Sequence, residues 1–410
     1  MTDPTKDSAH DALCRWLDAC PSPYHAVAHA SERLRGLGAV AGHSDVGFRA
    51  IGGLLIAWRK GRQRGSARVI GAHTDSPNLR VKPHADLDAV GCHLIATEPY
   101  GGALLSSWFD RELGLSGRVM LRDDPVPQLV RHDDLGLVLP RLAIHLDRTV
   151  NDSGHAVDPQ RHLGALRGVG GSGASSAQPT LRSTLAAGLG VAPDRIDSWD
   201  LMTHDLVPAA IGGWNGSLLT SGRLDNLVSC WLALDALESV IEDEPERTVV
   251  IAWFDHEEVG SESATGAVGP ELGRALAELA VEPRDSLLLS ADMAHGLHPH
   301  FPERHEPGHP VLLGGGPALK INVKQRYATD AVTAAEMRRI ARSADVSMQT
   351  YVHRADMACG STIGPIASAR LGLPTADVGL PMLAMHSCRE TMATSDVVTG
   401  RKLFRAFVAD

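Results

Sequence analysis

Thr248-Val249-Val250-Ile251-Ala252-Trp253-Phe254-Asp255-His256-Glu257-Glu258-Val259-Gly260-Ser261 is an apolar run that passes, with no turn residue between, into an aspartate, a histidine and two glutamates. Residues 248–252 are mostly β-branched and read as a buried strand. Side chains that follow one another at a strand end point to opposite sides. One glutamate can therefore bind a cation while its neighbour faces a bound water and works as a base. Taken alone, the same stretch also reads as a solvated acidic loop. Four further stretches of this kind, each after an apolar run, weigh against that.

His73 and Asp75 stand in His73-Thr74-Asp75 after the strand-like run 67–72. Asp225 stands in Gly222-Arg223-Leu224-Asp225-Asn226 at a helix start, where its plainest reading is a helix cap. Asp292 follows Leu287-Leu288-Leu289, and His386 stands in Leu383-Ala384-Met385-His386-Ser387. In open α/β sheets, ligands gather at the carboxyl ends of strands, and His73, Glu257, Glu258 and Asp292 all sit at such an end. Imidazole and carboxylate without thiolate suit zinc or another borderline divalent ion. Two His, two Asp and one Glu suffice for two ions if one carboxylate bridges. Two ions about 3.5–4 Å apart form a hydrolytic pair that acidifies a water between them.

Around these sites the texture alternates. Helical spacing covers 9–19 and 23–37, with a two-stranded segment at 46–60 turning at Gly52-Gly53. From about 78 to 206, short β-like runs dominate, at 92–97, 117–121, 135–139 and 142–146. Within that region 152–180 is rich in Gly, Ser, Gln and His and reads as a long loop. Its Gly168-Val169-Gly170-Gly171-Ser172-Gly173 lacks the Lys-Ser/Thr and the preceding strand of a phosphate-binding loop. After Gly212-Gly213 strands (248–254, 286–290, 318–323, 348–352, 375–378) alternate with helices (226–241, 270–280, 331–343, 363–371, 395–408). The expected fold is α/β: a mixed, mostly parallel sheet sandwiched by helices, with an inserted β-rich domain. The catalytic domain is expected over 1–76 plus 207–410 and the insertion over 77–206.

The chain has 410 residues, 43% hydrophobic and 21% charged, as in a soluble globular protein. Its net charge of −10 and 4% aromatic content argue against nucleic acid or an anionic membrane as partner. No apolar run approaches a membrane span, and the polar start shows no signal peptide. Its six cysteines are scattered without a CxxC pair. A cytoplasmic protein is the expectation.

These motifs, in this order, resemble those of the aspartyl aminopeptidase family, the eighteenth family of metallopeptidases. Gly71-Ala72-His73-Thr74-Asp75-Ser76-Pro77 is similar to its first ligand motif, Ser221-Gly222-Arg223-Leu224-Asp225-Asn226 to its bridging-carboxylate motif, and Asp255 to Ser261 to its base-plus-ligand motif. Gly222 departs from the proline many relatives carry. Lys324-Gln325-Arg326-Tyr327-Ala328-Thr329 and Cys359-Gly360-Ser361-Thr362-Ile363-Gly364-Pro365 are further family strings, with no chemical reading of their own. The resemblance implies two zinc ions per subunit. His73 and Asp292 would bind one, Glu258 and His386 the other, and Asp225 both. Glu257 would be the base and Asp75 would orient His73. His145, in Ala143-Ile144-His145-Leu146, would reach a neighbouring subunit's site and help hold an oxyanion. His295, Lys320 and Tyr327 match positions that hold an acidic substrate side chain.

The implied activity is removal of N-terminal residues, preferably Asp or Glu, from peptides. The alternatives are an aminopeptidase for neutral residues and an amide-cleaving deacylase of the same fold. A non-enzymatic scaffold is disfavoured because every ligand and base position is filled. The implied assembly is a dimer through the inserted domain and then a tetrahedral dodecamer.

Overall fold

The structure, a computed structural model, describes residues 8–42, 44–170 and 179–410. It divides into two compact units, residues 1–76, 209–385 and 390–410 in the first and residues 77–208 and 386–389 in the second.

The first unit is built on a nine-stranded sheet. Its order is Val40–Ala41, Val46–Ile51, Leu54–Arg59, Thr248–Phe254, Ala67–His73, Leu287–Ala291, Thr375–Gly379, Ala318–Ile321, Gln349–Val352. The sheet is mixed, and its central strands Thr248–Phe254, Ala67–His73, Leu287–Ala291 and Thr375–Gly379 are mutually parallel. All seven residues of Thr248–Phe254 are buried. Its side chains alternate between two cores. Val249, Ile251 and Trp253 join the larger cluster, with Trp16, Leu227 and Phe404. Val250, Ala252 and Phe254 join the other, with Leu272 and Ile363. Helices on both faces therefore bury a strand that reads as continuously apolar.

Helix Leu224–Glu238 is buried nearly all round and lies within the larger core. Asp235, three residues before its end, is a buried carboxylate bound by Arg401 Nε (2.9 Å) and Arg405 Nε (2.6 Å) of the last helix, Thr394–Ala409. Asp235→Ala is expected to cost about 1–2 kcal/mol, because both guanidinium groups reach solvent and are rehydrated. Urea unfolding of the two proteins measures it.

Register sets the site. Phe254 pairs with His73 and Ser290 with Gly71. Asp255 and Asp292 therefore leave their strands level with His73, at one carboxyl-end edge. A second, five-stranded sheet (Ala210–Gly212, Leu218–Ser221, Glu390–Ala393, Pro381–Leu383, Ala294–His295) lies in the same unit.

The second unit is a six-stranded antiparallel sheet. Its order is Gln128–Leu137, Leu113–Leu121, Ile196–Asp205, Asn78–Ala89, Cys92–Tyr100, Ala165–Val169. Helix Leu181–Leu189 packs into its core through Leu181 and Leu185.

Three expectations change here. The run 142–146 contains a turn at 144–146 and is not a strand: Leu142, Ile144 and Leu146 are exposed, and among the described residues no strand pairs with it. The stretch 152–180 is not one loop: Val150–Ser153 is a helical turn and Ala165–Val169 an edge strand, with 171–178 outside the described residues. Of the glycine-rich Gly168–Gly173 run, Gly168 and Val169 are in that strand, and Gly171 to Gly173 lie outside the described residues. Asn78–Ala89, twelve residues long, is a strand that polar composition and Pro83 conceal. Pairing with its neighbour shifts register between Val81 and Asp86, which accommodates the proline.

Candidate metal centre

Strand Thr248–Phe254 ends abruptly. Thr74 N–H caps it by donating to the Phe254 carbonyl (2.8 Å), and His256 then adopts φ 62°. Glu257–Val259 form a single 3₁₀ turn. The two glutamates therefore diverge because the chain turns, not by strand alternation as expected from the sequence. His256 points elsewhere, with Nδ1 2.9 Å from Ser263 Oγ.

Asp75 holds that turn. Its carboxylate, fully buried, accepts from Glu257 N–H through Oδ1 and from Glu258 N–H through Oδ2, both at 3.1 Å. The same residue orients His73, whose Nδ1 is 2.9 Å from the Asp75 carbonyl and 3.5 Å from its Oδ1. Asp75→Asn leaves one of the two backbone N–H groups facing an amide N–H₂. Zinc affinity or kcat is expected to fall roughly 10–100-fold, read by chelator titration and steady-state kinetics.

A carbonyl only accepts, so Nδ1 of His73 carries the proton and Nε2 faces the carboxylates. Nε2 lies 3.4 Å from Asp225 Oδ1, 3.8 Å from Asp292 Oδ1 and 3.9 Å from Glu257 Oε2. The ligand atoms of His73, Asp225 and Asp292, all buried, lie within 4.8 Å of one another, as do those of His73, Glu257 and Glu258. An imidazole lone pair aimed at several buried carboxylates is repulsive unless positive charge stands between them. The electrostatics agree. Burial disfavours a charged His73, yet Asp225, Asp292 and Asp75 outweigh it and push its pKa well up. Burial first, then Asp292, Asp75 and Asp225, against an opposing His73, raise Glu257 to about 8.

Asp225 lies at a kink in the first turn of its helix. The helix start is at Arg223, which makes no side-chain cap bond, and Asp225 and Asn226 then leave helical φ/ψ. The chain there is tied down from three sides. Glu390 Oε2 accepts from Asp225 N–H (3.1 Å), Ser76 Oγ donates to the Asp225 carbonyl (2.5 Å), and Asn226 Nδ2 donates to the Ala291 carbonyl (2.8 Å). Glu390, 1% exposed, escapes sequence reasoning because nothing around it has ligand spacing.

Lys320 is buried with Nζ 3.7 Å from Asp292 Oδ2 and 5.4 Å from the Tyr327 ring centre. Tyr327 is buried too, and its hydroxyl pKa is driven up by that burial and by Tyr351. His295 ends strand Ala294–His295 and opens onto a cavity of about 240 Å³ that Tyr351, His353 and Met382 also line. Lost hydration, and after it the nearby Lys320, lower its imidazole pKa, although the residue stays exposed. His386 belongs to the segment 386–389 of the second unit, where its Nδ1 is 3.1 Å from the Gly102 carbonyl. As at His73, that leaves Nε2 as the nitrogen with a lone pair. His145 is exposed on the second unit's 143–146 turn.

A family model described as "Aminopeptidase I zinc metalloprotease (M18)" matches residues 16–408. The chain belongs to the M18 aminopeptidase family. It is 43% identical to a "Probable M18 family aminopeptidase 2" of Mycobacterium leprae, over 96% of this chain and 97% of that one. The solved structure of an Ape4 and Nbr1 complex contains a chain that superposes with TM-score 0.91 at 32% identity, covering 98% of this chain and 85% of that one. The mApe1 dodecamer of S. cerevisiae superposes with TM-score 0.82 at 25% identity, covering 97% and 95%. The M18 chain is thus a zinc metalloaminopeptidase with the mixed α/β fold expected of it. Among the described residues of this M18 aminopeptidase, no helix is long and apolar enough to cross a membrane.

Proposed function

We propose that this M18 aminopeptidase holds two zinc ions per subunit and removes N-terminal residues, Asp and Glu in preference, from peptides. His73 and Asp292 would hold one ion and Glu258 and His386 the other, with Asp225 shared between them. When bound, the ions polarise the scissile carbonyl and lower the pKa of water. Glu257, beside this set and outside it, takes a proton from water and passes it to the departing amine. Asp75 keeps Glu257 and Glu258 in place through their backbone.

The observation that carries the acidic preference is Lys320. Its ammonium is buried, and among the described residues the carboxylate that comes within ion-pair range, that of Asp292 at 3.7 Å, is beyond hydrogen-bond reach. Its donors suit a substrate carboxylate, with Tyr327 and His295 beside it. Turnover of Asp-, Glu-, Leu- and Ala-linked chromogenic substrates tests this, with elemental analysis for the zinc count. Faster cleavage of Leu or Ala than of Asp and Glu favours the neutral-residue reading, and cleavage of N-blocked substrates favours a deacylase.

We place the assembly on the second unit: a dimer, then a tetrahedral dodecamer. Leu142, Ile144 and Leu146, which flank His145, are 61%, 45% and 73% exposed, an apolar turn suited to cover by another subunit. His145 then donates to the oxyanion of its neighbour's substrate. His145→Ala is expected to lower kcat about 10²-fold with the assembly's mass unchanged, checked by kinetics and light scattering. A cytoplasmic location completes the reading.

A further inference from the structure

Two strings that share no chemistry, 324–329 and 359–365, meet at one carboxylate. Asp377 is fully buried in strand Thr375–Gly379. Its neighbours in register are Ser290, two residues before Asp292, and Lys320. Directly opposed residues of an antiparallel pair share a sheet face, so Asp377 and Lys320 lie on the same side.

Thr362 Oγ1 donates to Asp377 Oδ1 and Ala328 N–H to Oδ2, both at 2.6 Å. Asp377 N–H donates to Thr329 Oγ1 at 2.8 Å. Three contacts thus tie one residue to both strings. The strings also touch each other, through Ser361 Oγ and the Arg326 carbonyl (3.3 Å). Between them, Tyr327 packs with Ala294, Val311, Ala318 and Tyr351, and Cys359 packs against that group. Lys324, Gln325 and Arg326 are exposed, so buried Tyr327 sits on a segment with little else to hold it. Gly364 belongs to the same device. A Cβ there would lie 2.6 Å from both Asp377 carboxylate oxygens, which explains a glycine in the first turn of helix Ile363–Leu371.

We infer that Asp377 is a positioning residue for substrate selection: it fixes the segments carrying Tyr327 and Cys359 against the strand that carries Lys320. The inference rests on the proposal that Lys320 and Tyr327 hold the N-terminal side chain. Asparagine has the shape of aspartate but one acceptor oxygen and no charge: with Oδ1 on Ala328 N–H, Thr362 Oγ1 is left to accept from Nδ2, and both charge-assisted bonds are replaced by weaker neutral ones.

The test compares Asp377→Asn, Thr362→Val and Lys320→Met with the parent holoenzyme on Glu- and Leu-linked substrates. In Asp377→Asn the ratio of kcat/KM between the two substrates is expected to collapse about tenfold, through KM. Hydrogen exchange is expected to quicken in 324–329 and 359–362 together, with the melting temperature nearly unchanged. Thr362→Val is expected to change both readouts in the same direction, by less. Parallel loss on both substrates, or exchange unchanged in either segment, overturns the inference. Should Asp377→Asn fail to fold, Thr362→Val decides it by the same two readouts. Lys320→Met separates the two claims. If it leaves the ratio intact, the substrate reading fails. If it shifts the ratio and Asp377→Asn does not, the positioning role alone fails.

Discussion

Glu257→Gln is expected to cut turnover roughly 10²–10⁴-fold while zinc content stays at the parent level. The carboxylate of Glu257 lies 3.9 Å from His73 Nε2 and keeps 14% of its side chain exposed. That places it to reach water and substrate. Its environment also suits a base. Burial and three neighbouring carboxylates make its carboxylate more basic than usual. Glutamine keeps the shape and the backbone bonds to Asp75 but cannot take a proton. Steady-state kinetics beside elemental analysis measure the outcome. A variant that keeps its activity removes Glu257 from the mechanism, whereas one that loses zinc makes Glu257 a ligand.

Removing the metal is expected to abolish peptidase activity and to lower the melting temperature, with both restored by added zinc. Asp75 is 0% exposed, Asp225 3% and Asp292 9%, so the stripped protein holds carboxylates together away from water. Any ion that binds only the folded chain stabilises it by RT ln(1 + [L]/Kd), about 4 kcal/mol at a thousandfold excess over Kd. Dialysis against a chelator, then calorimetry and assay before and after zinc, measures both effects. Unchanged stability and activity in the stripped protein would falsify the metal centre.

How much was legible in the sequence varies with the kind of element. The buried strands 248–254 and Ala67–His73 were readable, because burial on both faces leaves a continuous apolar run. The helices Ala9–Ala19 and Ala331–Ser343 were readable from their apolar spacing. The second unit was harder. Its sheet has one face in a core, so strands such as Asn78–Ala89 carry Lys, His and Asp on the other and look like loops. The opposite holds at 142–146, where alternating apolar residues pair with no strand among the described residues.

Read alone, the chain names the chemistry. Motifs at 73–75, 225, 257–258 and 292 have the donor types of a zinc peptidase, because ligand chemistry is a property of side chains. It cannot show the support. That Asp75 grips two backbone amides, that Glu390 holds the Asp225 backbone, and that Asp377 gathers two remote strings are facts of three-dimensional proximity. They depend on strand register and on where each turn closes, and those are set by packing among residues up to hundreds of positions apart.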